Sequence, residues 1–529
     1  MKFNLLCLIG ISAFFTSCNK DLDVTPTDDD LFLSDKFFSS PASYKQGLAG
    51  VYGNFSLVGT NGAADSNIQG IDAGTSQYGR CLWYMQDLAT DEVIWSYEND
   101  PGTRDIQRNI WDAENPIIRG MYGRAMFEVA LVNEYLRQTT PAKLSSRGIT
   151  DATMLADIAT YRQEVRVLRA LTYYHLMDLF GKAAFNTEAQ PVGVAGVEYN
   201  RQQLFDFIES ELTAVLPDLK APKTNEYGRV DKAAAWMILA KIYLNAEQYI
   251  GQNKYSDCVT MCNNVIGGGY VLEPNYLDNF KADNNTSTEL IFGFQSDGNV
   301  TQNYGPTTVM VNGSVGSIEQ NGVSLGVSAG GWGGALRLRK QFVQKFAGSQ
   351  FIGDERNTII SGTRNVDIGA ISNKDQGFVL SKYSNKTSNG TAGPNNTFVD
   401  TDFPLFRLAD AYLMYAECAL RGASNATTAQ GLTYVNMLRQ RAFNGVTGNV
   451  SLNDVNLDFI LDERARELHW EAHRRQDLIR FQKYTSGSYN WAWKGNGLNG
   501  IALPAYFNVY PLPAASVASN TNLTQNTGY

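Results

Sequence analysis

The chain has little histidine, little cysteine, no block of basic residues and no apolar run long enough to cross a membrane. Each shortage removes a class of function. Three histidines in 529 residues, His175, His469 and His473, leave little material for a Ser-His-Asp triad or a histidine metal site. A formal net charge of −9 without a Lys/Arg cluster argues against nucleic-acid binding. Six cysteines are too few and too scattered for a disulfide scaffold. Beyond Cys7 and Cys18, only Cys81, Cys258, Cys262 and Cys418 remain. Cys258 and Cys262 stand four apart on an expected helix, a spacing that suits no zinc ribbon, so buried free thiols are expected.

What is present begins with a leader. In MKFNLLCLIGISAFFTSCNKDLD, Lys2 is a positive start and Phe3 to Phe15 is mostly apolar. That run is too short for a membrane helix and suits a signal peptide over residues 1–17. Thr16 and Ser17 then precede Cys18, the pattern of a lipobox with Phe15 where Leu is usual. Cys18 is the expected lipidation site, and multiple acyl chains would tether the mature chain firmly. A polar, acidic stretch over 18–40 follows as a lipidated N-terminal leader.

The body reads as mainly α. In VDKAAAWMILAKIYLNAEQY, the spacing of Trp236, Leu239, Ala240 and Tyr243 matches the first helix of a tetratricopeptide repeat, and Tyr255, Cys258 and Cys262 fit its second. Leu405, Leu408, Ala409 and Tyr412 repeat the spacing. EVRVLRALTYYHLMDLF carries a stripe of Val165, Leu168, Leu176 and Leu179, interrupted by Thr172. DERARELHWEAHRRQDLIRF places Leu461, Ala465, Leu468, Ala472 and Ile479 on one expected helix face. Two regions break the pattern: about 60–116, and 267–402, which is rich in Gly, Asn, Ser and Thr. The expected organisation is a helical scaffold over 41–266, a loop-rich ligand-binding insertion over 267–402, and a helical scaffold and tail over 403–529. Insertions of that length in a scaffold are usually functional. The second holds AGGWGGA, where glycines flank Trp332 and would let a loop carry the indole to the surface.

Catalytic motifs fail on their own terms. Gly322-Val-Ser-Leu-Gly326 matches G-x-S-x-G, but more glycines follow it where a helix is required. His469 and His473 are four apart, yet Glu471 is two residues from each and points away from both, so the metalloprotease geometry is lost. Asp91 and Glu92, with Asp87 nearby, are the carboxylates a glycosidase reading would use. No catalytic, metal or cofactor site is assigned.

Taken together, EVRVLRALTYYHLMDLFGKAAF, GRVDKAAAWMILAKIYLNA, FPLFRLADAYLMYAECAL, ERARELHWEAHRRQDLIRF and the ending YPLPAASVASNTNLTQNTGY resemble the SusD/RagB family, from Cys18 to Tyr529. These are surface glycan-binding lipoproteins of Bacteroidetes outer membranes. The resemblance implies a mainly α fold with tetratricopeptide-like hairpins and an irregular ligand-binding lobe. It implies no catalysis, and a partner: a SusC-like TonB-dependent transporter. SYNWAWKGNGLNG and the ATDEVIW run resemble the starch-binding branch, although the stretch after Phe346 is shorter here. Carried over from that branch, the aromatic arc falls on Tyr97, Tyr304 and Trp332, with Trp95 alongside, and the polar contacts on Asp72, Arg80 and Asp100. Tyr97 replaces a tryptophan and Asp100 an asparagine; Asn99 could serve after a one-residue shift. The expected ligand is starch or a related α-glucan, with laminarin or levan as alternatives within the class. A glycosidase and a purely structural lid are the alternatives outside it.

Overall fold

The scaffold helices begin where the sequence supplies a side chain to bond their first free amides. Asp151 accepts from Met154 N and opens Ala152–Phe180. Asn200 and Gln203 form a reciprocal capping box at Arg201–Val215, Asp231 caps Lys232–Leu244, and Asn115 opens Pro116–Gln138 with proline in the first turn. Gly181, at φ 71°, ends Ala152–Phe180 in a left-handed conformation. The computed structural model describes residues 34–59, 62–316 and 321–529. The signal-peptide segment and Cys18 lie outside the described residues.

The helices pack in two runs of neighbours. Pro116–Gln138 lies against Ala152–Phe180, which lies against Arg201–Val215. Lys232–Leu244 packs on Tyr255–Ile266, then Leu408–Leu420, then Thr428–Ala442. This is the expected mainly α, tetratricopeptide-like stack. Cys81, Cys258, Cys262 and Cys418 are free and buried within it.

Three details of the helical reading change. Leu405 is not helical: Phe403–Arg407 is a strand, and the helix starts at Leu408. The expected single helix through Ala472 is broken. Leu457–Leu468 ends, Trp470 and Ala472 take φ of 62° and 61°, and Arg474–Arg480 starts afresh. His469 and His473 therefore lie in a turn, not on a helix face. Buried carboxylates hold that turn in place of helical hydrogen bonds: Glu92 accepts from Trp470 N (3.1 Å), and Asp87 from Ala472 N (2.7 Å) and Arg474 N (3.3 Å). Finally, the 60–116 region is less irregular than expected. Tyr78–Trp83 is a buried helix that continues into one π turn over Tyr84–Leu88.

Eight short strands occur among the described residues: β1 (Val93–Trp95), β2 (Lys182–Phe185), β3 (Val197–Asn200), β4 (Leu290–Phe294), β5 (Leu336–Leu338), β6 (Ile359–Ile360), β7 (Val379–Leu380) and β8 (Phe403–Arg407). They form four antiparallel pairs, β1–β5, β2–β3, β4–β8 and β6–β7. The β1–β5 pair sets Val93 opposite Leu338, Ile94 opposite Arg337 and Trp95 opposite Leu336. It joins the two regions that interrupt the helical pattern.

The carboxylates of the glycosidase reading are structural. Arg474 clamps Asp91 through Nε (2.7 Å) and Nη2 (2.8 Å), and Tyr489 donates to the same carboxylate (2.5 Å). Against the burial penalty, Arg474 holds Asp91 down to about 2. Burial pushes Asp87 up to about 7 despite the two amides it accepts from. All three histidines are buried, and burial lowers each of their pKa values.

Glu128 makes a different kind of buried acid. Its Oε2 accepts from Asn54 Nδ2 (2.9 Å), while Oε1 has no protein partner. Burial pushes it up from 4.5 to about 8. An acid raised in the folded state contributes stability at low pH and loses it as pH rises toward that folded value. Denaturant unfolding between pH 4.5 and 8 should therefore show the wild type losing stability relative to Glu128→Gln. Parallel curves would show that Glu128 is already ionised in the fold.

Candidate functional site

The β1–β5 register delivers the expected ligand residues to one place. An open depression of about 340 Å³ is lined by Asp72, Gly74, Thr75, Arg80, Trp95, Tyr97, Asp100, Pro101, Tyr304 and Trp332. Seven of the eight candidate ligand residues are in this lining. The eighth, Asn99, is exposed and outside this lining, whereas its neighbour Asp100 is part of it.

Trp332 owes its position to the glycines. Gly331, Gly333 and Gly334 take φ of 42°, 61° and 70°, the region open to glycine at little cost. A Cβ on Gly331 would stand 2.5 Å from Val315 Cγ2 and 2.8 Å from Asn312 O. This close approach lets Trp332 N donate to Asn312 O (2.9 Å) and Gly334 N donate to Val315 O. The indole is left half-buried, one side on the core and the rest facing the depression.

Trp95 has a different role from the one expected of it. At 2% exposure it is floor rather than platform, because β1 is buried on both faces. It meets Trp332 edge-on (5.9 Å between ring centroids, 84°) and Tyr97 likewise (5.9 Å, 67°). Its Nε1 donates to Asp100 Oδ2 (2.8 Å), which fixes the carboxylate at the rim.

Tyr97 is also more constrained than a free stacking surface. Its hydroxyl donates to Trp332 O (2.7 Å), and Lys374 Nζ donates to that hydroxyl (2.7 Å) while sitting 4.3 Å from the ring centroid. Tyr97 thus ties the two halves of the site together. Lys374 was not among the sequence candidates. It reaches Tyr97 across 277 residues, and no local spacing announces such a contact.

The polar residues are similarly anchored. Asp72 Oδ1 accepts from Thr75 N (2.8 Å) and Thr75 Oγ1 (2.7 Å), closing a turn with the residue itself exposed. Arg80 is buried, with Nε (2.9 Å) and Nη2 (2.6 Å) on Tyr84 Oη and Nη1 on Gly74 O. Burial raises the Tyr84 phenol and the Arg80 charge opposes it. Tyr304 is half-buried, 6.2 Å from Trp332 with ring planes at 49°.

Chemically, this is a shallow aromatic surface with fixed carboxylate and guanidinium groups around it. The G-x-S-x-G match does not add to it. Ser324 lies in the single 3-10 turn Gly322–Leu325 and donates to Asn321 O (2.6 Å). Among the described residues, no group of three or more His, Cys, Asp or Glu is arranged to hold a metal ion.

The fold and this site define a mainly helical protein with an open, aromatic-lined depression, and comparison with known proteins supplies the family. The SusD family matches residues 237–529. The starch-binding protein SusD of Bacteroides thetaiotaomicron is 32% identical over a 578-residue alignment covering 100% of this chain and 98% of its own. The chain belongs to the SusD family. Among solved structures, a SusD homologue from B. thetaiotaomicron matches with TM-score 0.71 at 18% identity, covering 94% of this chain and 98% of that one. Surface glycan-binding protein A from the same species, in complex with laminarihexaose, matches with TM-score 0.68 at 21% identity, covering 92% and 99%. These likenesses show the fold.

The glycine geometry is testable directly. Gly331→Ala places a Cβ into Val315 at positive φ and should cost about 1–3 kcal/mol of stability in denaturant unfolding. Gly330→Ala, where nothing stands within 4 Å, should cost almost nothing. Equal stabilities would mean that the Trp332 loop does not need the backbone path described.

Proposed function

We propose that this chain is a non-catalytic surface lipoprotein that binds starch and maltooligosaccharides at the Trp332 depression. It passes them to a SusC-like TonB-dependent transporter in the outer membrane. The observation that carries the reading is the convergence of Trp332, Tyr304, Tyr97, Asp72, Arg80 and Asp100 on one open surface. Those are the positions the starch-binding branch of the family would use. Membership in the family and full-length similarity to a starch-binding protein support the ligand class.

Aromatic faces take up the apolar faces of sugar rings. Rings tilted against one another suit a curved α-1,4-glucan better than a flat β-1,4 chain. If each platform removes about 40 Å² of apolar surface from water, it contributes about 1 kcal/mol at ~25 cal/mol/Å². A few platforms and hydrogen bonds, less the ordering cost, give roughly micromolar to millimolar affinity. That range suits a protein that must release its ligand to a transporter. Asp87, Asp91 and Glu92, the carboxylates a glycosidase would need, are buried in the scaffold and committed to the 470–474 turn and Arg474. Another glycan, such as laminarin or levan, is the alternative ligand.

Calorimetry with a cyclic maltooligosaccharide tests the site. Trp332→Ala should weaken binding strongly, with Tyr304→Ala and Tyr97→Ala each costing less, and Trp332→Ala should stay folded with a small drop in melting temperature from its lost core contact. Undiminished affinity in Trp332→Ala would remove the site, and binding of laminarin alone would replace the ligand.

Anchoring is proposed through Cys18, on the lipobox-like run Phe15-Thr16-Ser17-Cys18 after the apolar leader. Cys18→Ala should move the protein from the membrane fraction to the soluble fraction in cells lacking the transporter. Retention after a high-salt wash would refute the lipid anchor.

A further inference from the structure

We propose that Phe398 is a further sugar-stacking residue, which extends the aromatic surface past Tyr304 and lets the site grip a longer chain. The inference rests on the glycan-binding reading of the Trp332 depression and enlarges it.

The geometry begins with Tyr304. Its ring stands between Trp332, 6.2 Å away at 49°, and Phe398, 5.2 Å away at 58°. The three rings are thus tilted against their neighbours rather than coplanar. Phe398 is half-buried, and among the described residues neither it nor Tyr304 packs against the buried apolar core, whereas Trp332 and Tyr97 do. A phenylalanine with an aromatic neighbour on the ligand surface and no core to fill is poorly explained by folding alone.

Its backbone is held as firmly as that of Trp332. Asn395 Oδ1 accepts from Thr397 N (2.8 Å) and Phe398 N (3.0 Å), and Val399 N donates to Thr308 Oγ1 (3.3 Å). One buried residue fixes both aromatic loops: the Asn312 side-chain Nδ2 donates to Thr397 O (2.9 Å), while its backbone carbonyl accepts from Trp332 N (2.9 Å). Ser328 N donates to Asn396 O (2.9 Å), joining the same two segments again. The relative placement of Trp332 and Phe398 is therefore built in before any ligand arrives, which lowers the ordering cost of binding.

Beyond the Phe398 turn lies a second open depression, about 390 Å³, walled by Val323, Val327, Pro394, Asn395 and Asn396. Asn395 and Asn396 of that turn form part of its wall. Tyr97, by contrast, has Lys374 over its ring and its hydroxyl committed to Trp332 O. The extended stacking surface is Trp332, Tyr304 and Phe398.

Calorimetry of the full chain with maltotriose and with maltoheptaose separates this role from simple support of Tyr304. The variants are Phe398→Ala and Phe398→Trp. Phe398→Ala should weaken maltoheptaose binding about fivefold, the worth of one stacked ring, and leave maltotriose binding and the melting temperature unchanged. Phe398→Trp should restore or tighten the longer sugar. Equal weakening for both sugars would show that Phe398 only props Tyr304, and no weakening would show that it is outside the site; either overturns the proposal. A wild type that binds neither sugar overturns the α-glucan reading itself, and this extension with it.

Discussion

The site depends on one short strand pairing. Val93–Trp95 and Leu336–Leu338 lie far apart in sequence, and each belongs to a region with little helical signal. Their pairing continues outward as Ser96 N to Ala335 O (2.8 Å) and Arg339 N to Glu92 O (3.1 Å). A pair of three-residue strands has little stability of its own. This one is completed by side chains. Gln107 imitates a third strand, accepting from Trp95 N (2.7 Å) and donating to Trp95 O (3.0 Å). Arg339 donates to Val93 O (3.0 Å) and Gln107 O (2.7 Å). Burial pulls Arg339 down to about 9, with Asp91 opposing, so backbone carbonyls supply much of its hydrogen bonding. The pairing then sets Trp95 under Trp332 and Tyr97 against the Trp332 carbonyl.

Beneath the pair, a buried ionic network fixes the chain that β1 runs into. Asp87, Asp91 and Glu92 hold the turn between Leu457–Leu468 and Arg474–Arg480. Further along, Arg407 bonds Glu471 (2.6 Å), Glu289 (2.7 Å) and Glu467 (2.7 Å), joining β8, the start of β4 and that same turn. Against the burial penalty, Arg441, Arg407 and Arg356 hold Glu467 below the usual carboxylate range. Such groups add little net stability over an apolar core, but removing one partner strands a buried charge. Their consequence here is positional: the loops that carry the candidate site residues are mounted on a scaffold cross-linked by these ion pairs.

Much of this was legible in the sequence, for identifiable reasons. Helices such as Lys232–Leu244 announce themselves by apolar spacing and an Asp cap, both local signals. Trp332 was legible because four glycines around a tryptophan make little sense in a core. What local signals could not show was long-range compensation. Ala472 fits a helix face by spacing, yet the Asp87 carboxylate, 385 residues away, bonds its amide where it stands at φ 61°. Trp95 looked like a ligand residue because it neighbours Tyr97, and only the β1–β5 pairing buries it. Lys374 and Phe398 meet the site through tertiary contacts alone, so sequence spacing had no means of finding them.

The central claim is that the two irregular regions, joined by β1 and β5, make one carbohydrate surface around Trp332. A crystal structure of the chain with maltoheptaose tests it most directly. The account predicts sugar rings lying against the Trp332 indole and Tyr304, with hydroxyls near Asp72 and Asp100. Sugar bound elsewhere on the molecule, with the Trp332 depression holding only solvent, would contradict it.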